Sequence, residues 1–207
     1  MPSSQFVPIL EETGLIYEVG RWALHKAVAD YLRWQETGLS AVRIAVNVSP
    51  LQLRHRRFIH EIEQAIRVNE HAANGLELEI TESVIMEDIK RSIASLQAIR
   101  ALNVRIAIDD FGTGFSSLSY LAKLPVDTLK IDQSFIKDMT NDRKGLALVG
   151  TVINLSHSLK LNVVAEGVET DEQRRLLRLL DCDEMQGFLF SRPVPVDVFE
   201  AKFLTSI

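Results

Sequence analysis

The chain has 207 residues, of which 46% are hydrophobic and 25% are charged, and its formal net charge is −5. This composition is typical of a globular protein and excludes the disordered and fibrous classes. The single cysteine, Cys182, cannot form an internal disulfide, and no apolar run reaches the roughly 18 residues of a membrane span. We therefore expect one cytoplasmic domain without a membrane segment. The acidic balance also argues against binding to DNA.

Six short segments rich in β-type residues alternate with helical segments along the chain. The helical segment 15–35 precedes the first strand, and its apolar stripe is formed by Ile16, Val19, Trp22, Ala23 and Ala27. The predicted strands cover residues 42–49, 76–81, 105–109, 128–132, 162–166 and 185–190. The predicted helices between them cover residues 58–68, 89–102, 116–124, 146–159 and 171–180. The strands recur about every 29 residues, a spacing that predicts βα units and a parallel sheet.

A polar or ionisable residue stands near the end of each predicted strand. These residues are Asn47, Glu79, Asp109, Lys130, Glu166 and Gln186. Side chains alternate between the two faces of a strand, so these residues share one face and their apolar neighbours share the other. We expect the apolar face to meet helices and the polar face to line a lumen. Functional groups on the C-terminal rim of such a lumen are typical of a (β/α) barrel.

The predicted fold is therefore α/β, a TIM-like (β/α) barrel with about six of its eight strands. Because the first predicted strand follows a helix, we expect the missing pair on the N-terminal side. Two interpretations remain open: the barrel is incomplete, or the protein starts further upstream. In either case, residues 1–207 are expected to form a single domain.

Oxygen ligands gather at the ends of the first three strands. They are one amide oxygen and three carboxylates, from Asn47, Glu79, Asp109 and Asp110. Hard oxygen ligands favour Mg²⁺, Mn²⁺ or Ca²⁺ over zinc. Adjacent aspartates can bridge two cations about 3.5 to 4 Å apart, the usual arrangement for in-line attack on a phosphodiester. Lys130 adds a fixed positive charge, and Glu166 could hold the second metal or accept a proton from the attacking water.

Each of these features also has a structural interpretation. An isolated Asp-Asp or Glu-Ile-Thr-Glu sequence is usually a loop or a solvated strand end. Lys130 could be an ion-pair partner inside the barrel, and Gln186 a polar core residue. The functional interpretation is favoured because polar residues recur at the same depth on six strands. The five histidines share no ligand spacing, and the Asp-Phe-Gly sequence at 110–112 lacks the other kinase motifs.

Seven segments of the chain resemble the EAL domain, the bacterial cyclic di-GMP phosphodiesterase family. They follow the family's order and spacing over almost the whole chain, at residues 11–16, 46–49, 78–82, 109–117, 129–132, 164–170 and 186–193. The resemblance implies a TIM-like barrel whose first strand is antiparallel. It also implies hydrolysis of one phosphodiester bond of cyclic di-GMP to give linear pGpG, with Mg²⁺ or Mn²⁺ in a two-metal site.

The resemblance implies a role for each matched residue. The implied ligands of the first metal are Asn47, Glu79 and Asp109, and those of the second are Asp109, Asp110 and Glu166. Lys130 would orient the attacking water, and Glu166 would act as a general base or as a metal ligand. Glu82 joins the catalytic group because it would steady the loop 110–117. Gln186 would line the metal and substrate site, and Asp132 is assigned to substrate binding.

The chain departs from the family in one large feature, since it contains no Glu-Ala-Leu triplet. The glutamate of that triplet would complete the first metal site, so the resemblance implies weak or no activity for this chain. A non-catalytic cyclic di-GMP receptor or protein-interaction module is the alternative, and a hydrolase of another phosphodiester is a third. The expected partners are cyclic di-GMP, upstream regulatory or diguanylate-cyclase domains, and a second copy that binds through the loop 110–117.

Overall fold

The structure of the chain, a computed structural model, describes residues 3–113, 118–140 and 142–204. Its strands are β1 (Ile44–Asn47), β2 (Leu76–Thr81), β3 (Arg105–Phe111), β4 (Thr128–Ile131), β5 (Asn162–Ala165) and β6 (Glu184–Met185). Its α-helices are α1 (Ser3–Thr13), α2 (Ile16–Glu36), α3 (Pro50–Arg54), α4 (Phe58–Ile66), α5 (Glu82–Glu87), α6 (Ile89–Ala101), α7 (Leu118–Leu121), α8 (Gln133–Asp138), α9 (Arg143–Ser158), α10 (Asp171–Leu179) and α11 (Val196–Phe203). A 3₁₀ helix, Ala72–Gly75, precedes β2.

The six strands form one parallel sheet in which neighbours in sequence are also neighbours in space. The order is β1-β2-β3-β4-β5-β6, and each adjacent pair is parallel. Together with the helices that connect them, the strands form a half-barrel. The prediction of a TIM-like barrel with about six of eight strands is therefore confirmed. All the strands end at the same rim, which is where barrels of this type carry their functional groups.

The hydrophobic core lies between the sheet and the surrounding helices. Leu76, Leu78 and Ile80 of β2 are fully buried, while Glu77 and Glu79 alternate with them and face the lumen. Burial of each such aliphatic side chain contributes about 1.5–3 kcal/mol. The helices supply buried partners: Phe58, Ile62, Leu96, Ile99, Val149, Ile153 and Leu177.

The strands β2 to β5 begin at the predicted residues, but the predicted strand 185–190 is wrong beyond Met185. Glu184 and Met185 pair with β5, and the chain then turns, because the amide of Phe190 donates to the carbonyl of Gly187 at 3.1 Å. Gly187 lies against the backbone of Val168, where an added Cβ would overlap the carbonyl oxygen. The segment after β6 therefore folds over the loop that follows β5 and does not extend the sheet.

The helices α2, α4, α6, α9 and α10 agree with prediction, whereas α1, α3, α5, α8 and α11 were not among the predicted helices. A capping box formed by Thr170 and Gln173 begins α10. The helices α3, α5 and α8 follow directly after strands and have only five or six residues, too few for a clear 3.6-residue period. Of the predicted helix 116–124, residues 118–121 form α7, residues 122–124 are turn and bend, and residues 116 and 117 lie outside the described residues. No helix in the described part of the chain combines the length and apolar character needed to cross a bilayer.

The apolar stripe predicted for α2 is only partly buried. Ile16 and Ala27 are buried, but Val19 and Trp22 are 37% and 64% exposed. These two side chains line a cavity of about 900 Å³ between α1, α2 and the edge strand β1. The helix is rotated from the predicted orientation because it packs on α4 and the 3₁₀ helix as well as on β1. Its buried side is formed by Ile16, Gly20, Leu24, Ala27, Val28, Asp30, Tyr31 and Trp34.

The environment of Cys182 leads to a prediction about its reactivity. Its Sγ lies 3.7 Å from the carbonyl oxygen of Val163 and 3.3 Å from that of Glu184. Burial raises the pKa of the thiol from 9.0 to about 11. Because the thiolate is the reactive form, we expect iodoacetamide at about pH 8 to alkylate the folded chain roughly a hundredfold more slowly than the urea-unfolded chain. Mass spectrometry measures both rates, and equal rates would contradict this environment for the thiol.

Candidate active site

Polar side chains from five neighbouring strands meet at the rim where the strands end. Asn47 at the end of β1 lies opposite Glu79 of β2 in the register. Asp109 is on β3, Lys130 is on β4, and Glu166 directly follows β5. Residues that pair across a parallel sheet point to the same face, so Asn47 and Glu79 share the lumen side.

Lys130 stands at the centre of this group. Its Nζ lies 2.7 Å from Oε1 of Glu79, 3.0 Å from Oδ1 of Asp109 and 2.7 Å from Oε1 of Glu166. Only 6% of the lysine side chain is exposed. An ammonium group has three N–H donors, so each donor can have its own carboxylate partner. Lys130 thus links acids from β2, β3 and β5 that would otherwise repel one another.

Burial and charge act in opposite directions on the pKa values of this group. Burial raises the pKa of Glu79 and of Glu166 above the ordinary value, although the charge of Lys130 opposes this rise. Burial also raises the pKa of Asp110, and the negative charge of Asp109 adds to the effect. For Lys130, burial alone lowers the pKa, but the surrounding carboxylates outweigh burial and the pKa lies above its ordinary value. The lysine therefore remains a cation.

A β-bulge turns two adjacent aspartates towards the same site. Ile108 pairs with Leu129 and Phe111 pairs with Ile131, so β3 contains one more residue than β4 over this interval. The extra residue is accommodated at Asp110, whose φ of 54° lies in the left-handed region. In a regular strand, consecutive side chains point to opposite faces. The bulge removes this restriction, and the carboxylates of Asp109 and Asp110 come together.

Three carboxylates approach closely enough to share a cation. Oxygen atoms of Asp109, Asp110 and Glu166 lie within 4.8 Å of one another. Asn47, Asp109 and Asp110 also line the cavity of about 900 Å³ beside β1. Asn47 is exposed there, whereas Glu79 lies deeper, with 10% of its side chain exposed. The donor set consists of oxygens alone, which suits a hard divalent cation.

Two loops of the site are held by close contacts around α8. Gly112, with φ of 97°, follows the bulge, and an added Cβ there would lie 2.7 Å from the ring of Phe135. Gly167, with φ of 69°, follows Glu166, and its added Cβ would lie 2.5 Å from Cβ of Gln133. Only glycine combines a left-handed backbone with so little space at low cost. The helix α8 therefore restricts the backbone at Gly112 and at Gly167.

Glu82 lies beneath the loop that follows the bulge. Its side chain is buried, and its Oε2 accepts a hydrogen bond from the amide of Gly112 at 3.0 Å. Glu82 is not in the group of Asp109, Asp110 and Glu166 whose oxygens converge. Glu82 thus contacts the backbone of the chain directly after the bulge.

The structure does not bring the remaining predicted residues into the lysine cluster. Gln186 is exposed after β6, and its backbone carbonyl accepts from the amide of Val168 at 3.0 Å. Asp132 caps α8 through a bond from the amide of Ser134 at 2.9 Å. The negative charge of Asp132 nevertheless helps to raise the pKa of Asp110. In the loop 110–117, residues 114–117 lie outside the described residues.

Sequence reasoning missed the two features that shape the loops, namely the bulge and α8. The signal for the bulge was the sequence Asp109-Asp110-Phe111-Gly112, because aspartate tolerates the left-handed region and glycine prefers it. The signal for α8 was Asp132 followed by Ser134, an arrangement typical of a helix N-cap.

Comparisons with known proteins agree with the sequence resemblance. The EAL domain family matches residues 1–193. An uncharacterized signaling protein of Caulobacter vibrioides is 45% identical over 197 residues, which cover 95% of this chain and 24% of that protein. The bifunctional diguanylate cyclase/cyclic di-GMP phosphodiesterase MucR of Pseudomonas aeruginosa is 42% identical over 193 residues, which cover 93% of this chain and 28% of MucR. The chain thus spans about a quarter of the length of these curated relatives.

A solved structure of the MucR phosphodiesterase in complex with c-di-GMP is also similar. It has a TM-score of 0.91 and 40% sequence identity, and the match covers 96% of this chain and 81% of that chain. Family match, sequence identity and barrel architecture all extend over nearly the same residues. The chain belongs to the EAL domain family.

Proposed function

We propose that this chain forms the larger part of a site that hydrolyses cyclic di-GMP to linear pGpG. The observation that carries the proposal is the convergence of Asp109, Asp110 and Glu166 within 4.8 Å, beside the buried ammonium group of Lys130. The similar MucR structure, a phosphodiesterase in complex with c-di-GMP, supports the choice of substrate.

The donor chemistry supports Mg²⁺ or Mn²⁺ as cofactors. Asp109, Asp110 and Glu166 would hold one cation, and Asn47, Glu79 and Asp109 would contribute to the other. Carboxylate and amide oxygens are the ligands that such cations prefer. When bound, a pair of cations polarises a phosphodiester and activates a water molecule for in-line attack.

The residues of the chain supply position and charge for this attack. Lys130 would orient the water by exchanging one of its three carboxylate partners for it. Glu166 is either a metal ligand or the base that accepts the proton of the water, and its nearness to Asp110 favours the ligand role. The water oxygen bonds to phosphorus while the bond from phosphorus to a 3′-oxygen breaks, and that oxygen takes up a proton. The product is linear and carries a 5′-phosphate.

Three further residues complete the proposal. Glu82 acts as a positioning residue, because it holds the amide of Gly112 behind the aspartate pair. Asp132 contributes negative charge near Asp110 and is proposed for substrate binding. Gln186, exposed at the rim after β6, is proposed to line the substrate site.

We propose that residues 1–207 form one domain, in which β1 to β6 are six of eight barrel strands. The cytoplasm is the proposed location, since the proposed substrate is a signalling nucleotide. Regulatory or diguanylate-cyclase domains are proposed partners because MucR is named as bifunctional. Dimerisation through the loop 110–117 remains a prediction.

A non-catalytic cyclic di-GMP receptor is the second candidate function. It is favoured by one observation, the lack of a Glu-Ala-Leu triplet in the sequence. It is disfavoured by the presence of Lys130 and of both aspartates of the bulge, since a receptor needs no water-activating group. The two functions differ in whether product forms.

The proposed hydrolysis can be tested by comparing this chain with a fusion that supplies a strand pair bearing Glu-Ala-Leu from an active EAL domain. We expect the fusion to convert cyclic di-GMP to pGpG with Mn²⁺, and this chain alone to be at least about tenfold to a hundredfold slower, because one metal ligand is missing. Chromatography of the nucleotides measures both rates. Tight nucleotide binding without any product in the fusion would favour the receptor, and equal rates would contradict the role of the missing ligand.

The positioning role of Glu82 predicts a graded effect of substitution. Glu82→Ala removes the acceptor for the amide of Gly112 and should lower the free energy of unfolding by about 1–3 kcal/mol. It should also lower the hydrolysis rate of the fusion. Glu82→Gln keeps an acceptor oxygen, so it should lower both the free energy of unfolding and the hydrolysis rate by less than Glu82→Ala does. Urea titration and the nucleotide assay measure the two effects, with Glu12→Ala on the exposed surface of α1 as the control. A wild-type rate for Glu82→Ala would argue against positioning.

A further inference from the structure

Two overlapping groups of carboxylates meet at the rim, and only one of them contains Lys130. The lysine contacts Glu79, Asp109 and Glu166 at 2.7 to 3.0 Å. The converging oxygens belong to Asp109, Asp110 and Glu166. The two groups thus share Asp109 and Glu166. A cation held by the second group would stand next to an ammonium group that is already bound to two of its ligands.

The lysine contacts leave one oxygen on each shared carboxylate for another partner. Lys130 approaches Oδ1 of Asp109 and Oε1 of Glu166. Oδ1 of Asp109 also accepts the amide of Asp110 at 3.1 Å. Among the described residues, Oδ2 of Asp109 and Oε2 of Glu166 have no hydrogen-bond or ion-pair partner, so these oxygens are available to a metal. The lysine therefore fixes each carboxylate by one oxygen and directs it to bind through the other.

We propose that Lys130 is a built-in counter-cation that holds Asp109 and Glu166 in ligating positions before metal binds and weakens the binding of that metal. This inference rests on the metal site proposed above. The first effect is a positioning effect that favours metal binding. The second is a repulsion between the ammonium group and the entering cation, and it opposes metal binding.

Whether loss of the Lys130 charge tightens or weakens metal binding depends on which is larger, the positioning effect or the repulsion. Loss of a group that orients a ligand typically weakens metal affinity by about tenfold to a hundredfold. Repulsion between a divalent ion and an ammonium group a few ångströms away is larger, because the lysine side chain is only 6% exposed and water screens the charges poorly. Removal of the lysine charge should therefore tighten metal binding, although the same change should abolish water orientation.

The test is the Mn²⁺ affinity of this chain, measured from the electron paramagnetic resonance signal of free Mn²⁺. Lys130→Met replaces the ammonium group with an unbranched apolar side chain that is one heavy atom shorter, and we expect it to bind Mn²⁺ about tenfold more tightly than the wild type. Lys130→Arg keeps the charge and should bind no more tightly than the wild type. Lys90→Met removes an exposed charge on α6 and serves as the matched control, with unchanged affinity.

Folding must be followed in parallel, because Lys130→Met leaves three carboxylates without the ammonium group. Lys130→Gln is the second variant, since its amide can still donate to two of them. Circular dichroism with and without Mn²⁺ reports folding. Variants that fold only in the presence of Mn²⁺ would support the proposal, since the metal then replaces the lysine. Variants that fold under neither condition would overturn it, because the role of Lys130 would be structural alone.

The outcomes distinguish this inference from the proposed function. Equal or weaker Mn²⁺ binding by folded Lys130→Met, with clear binding by the wild type, overturns the counter-cation role and leaves the metal site intact. Binding by Lys130→Met with none by the wild type supports the role in its strongest form. No binding by any form of the chain overturns the metal site itself and this inference with it.

Discussion

The site depends on the repulsion between carboxylates that a parallel sheet brings to one rim. All strands of a parallel sheet end on the same side, so acidic residues at the ends of β2, β3 and β5 must approach one another. Lys130 on the strand between the last two compensates this repulsion with an ion pair to each acid. Removing one partner from such a buried group is typically costly, by about 3–5 kcal/mol. The position of the lysine is thus a condition for the fold of the rim as well as for its chemistry.

Two glycines beside the site, Gly112 and Gly167, are held against a helix that carries none of the converging carboxylates. Phe135 and Gln133 of α8 lie so close to Gly112 and Gly167 that neither glycine has space for a Cβ. The start of α8 is fixed in turn by its cap, Asp132. A second connection comes from Gln173 of α10, whose side-chain amide donates to the carbonyl of Ile136 at 3.2 Å. The backbone at Gly112, after β3, and at Gly167, after β5, is therefore coupled through one short helix, and a change in α8 would displace both glycines.

The alternation of polar and apolar residues was sufficient to predict most of the strands. It also predicted the face of the sheet that carries Asn47, Glu79, Asp109 and Lys130. Alternation is a local property, because each residue fixes the direction of the next. The bulge at Asp110 breaks this rule and could not be derived from it. The predicted orientation of α2 failed at Val19 and Trp22 for a different reason. A helical period identifies an apolar side, but the elements that pack against a helix come from distant parts of the chain.

The short helices mark a further limit of prediction from sequence. α8 has six residues, and its only strong signal is the cap at Asp132, which sequence analysis assigned to substrate binding. A residue can serve both purposes, because Oδ1 of Asp132 accepts from Ser134 while its charge still raises the pKa of Asp110. Glu82 illustrates the same ambiguity, since its motif suggests a catalytic role and its side chain accepts a hydrogen bond from a backbone amide. Residue type alone does not separate these roles.

The cluster formed by Asp109, Asp110 and Glu166 has two different sides, and the difference bears on how the proposed cation would reach it. On the β4 side the group meets Lys130, which is almost fully buried and already positive. On the β1 side it meets the neutral amide of Asn47 and the cavity of about 900 Å³, which Asp109 and Asp110 also line. The proposed divalent cation would carry bound water and would be repelled by the ammonium group, so we expect it to approach from the cavity side. The side of the rim next to β1 is therefore where an additional carboxylate would strengthen metal binding most.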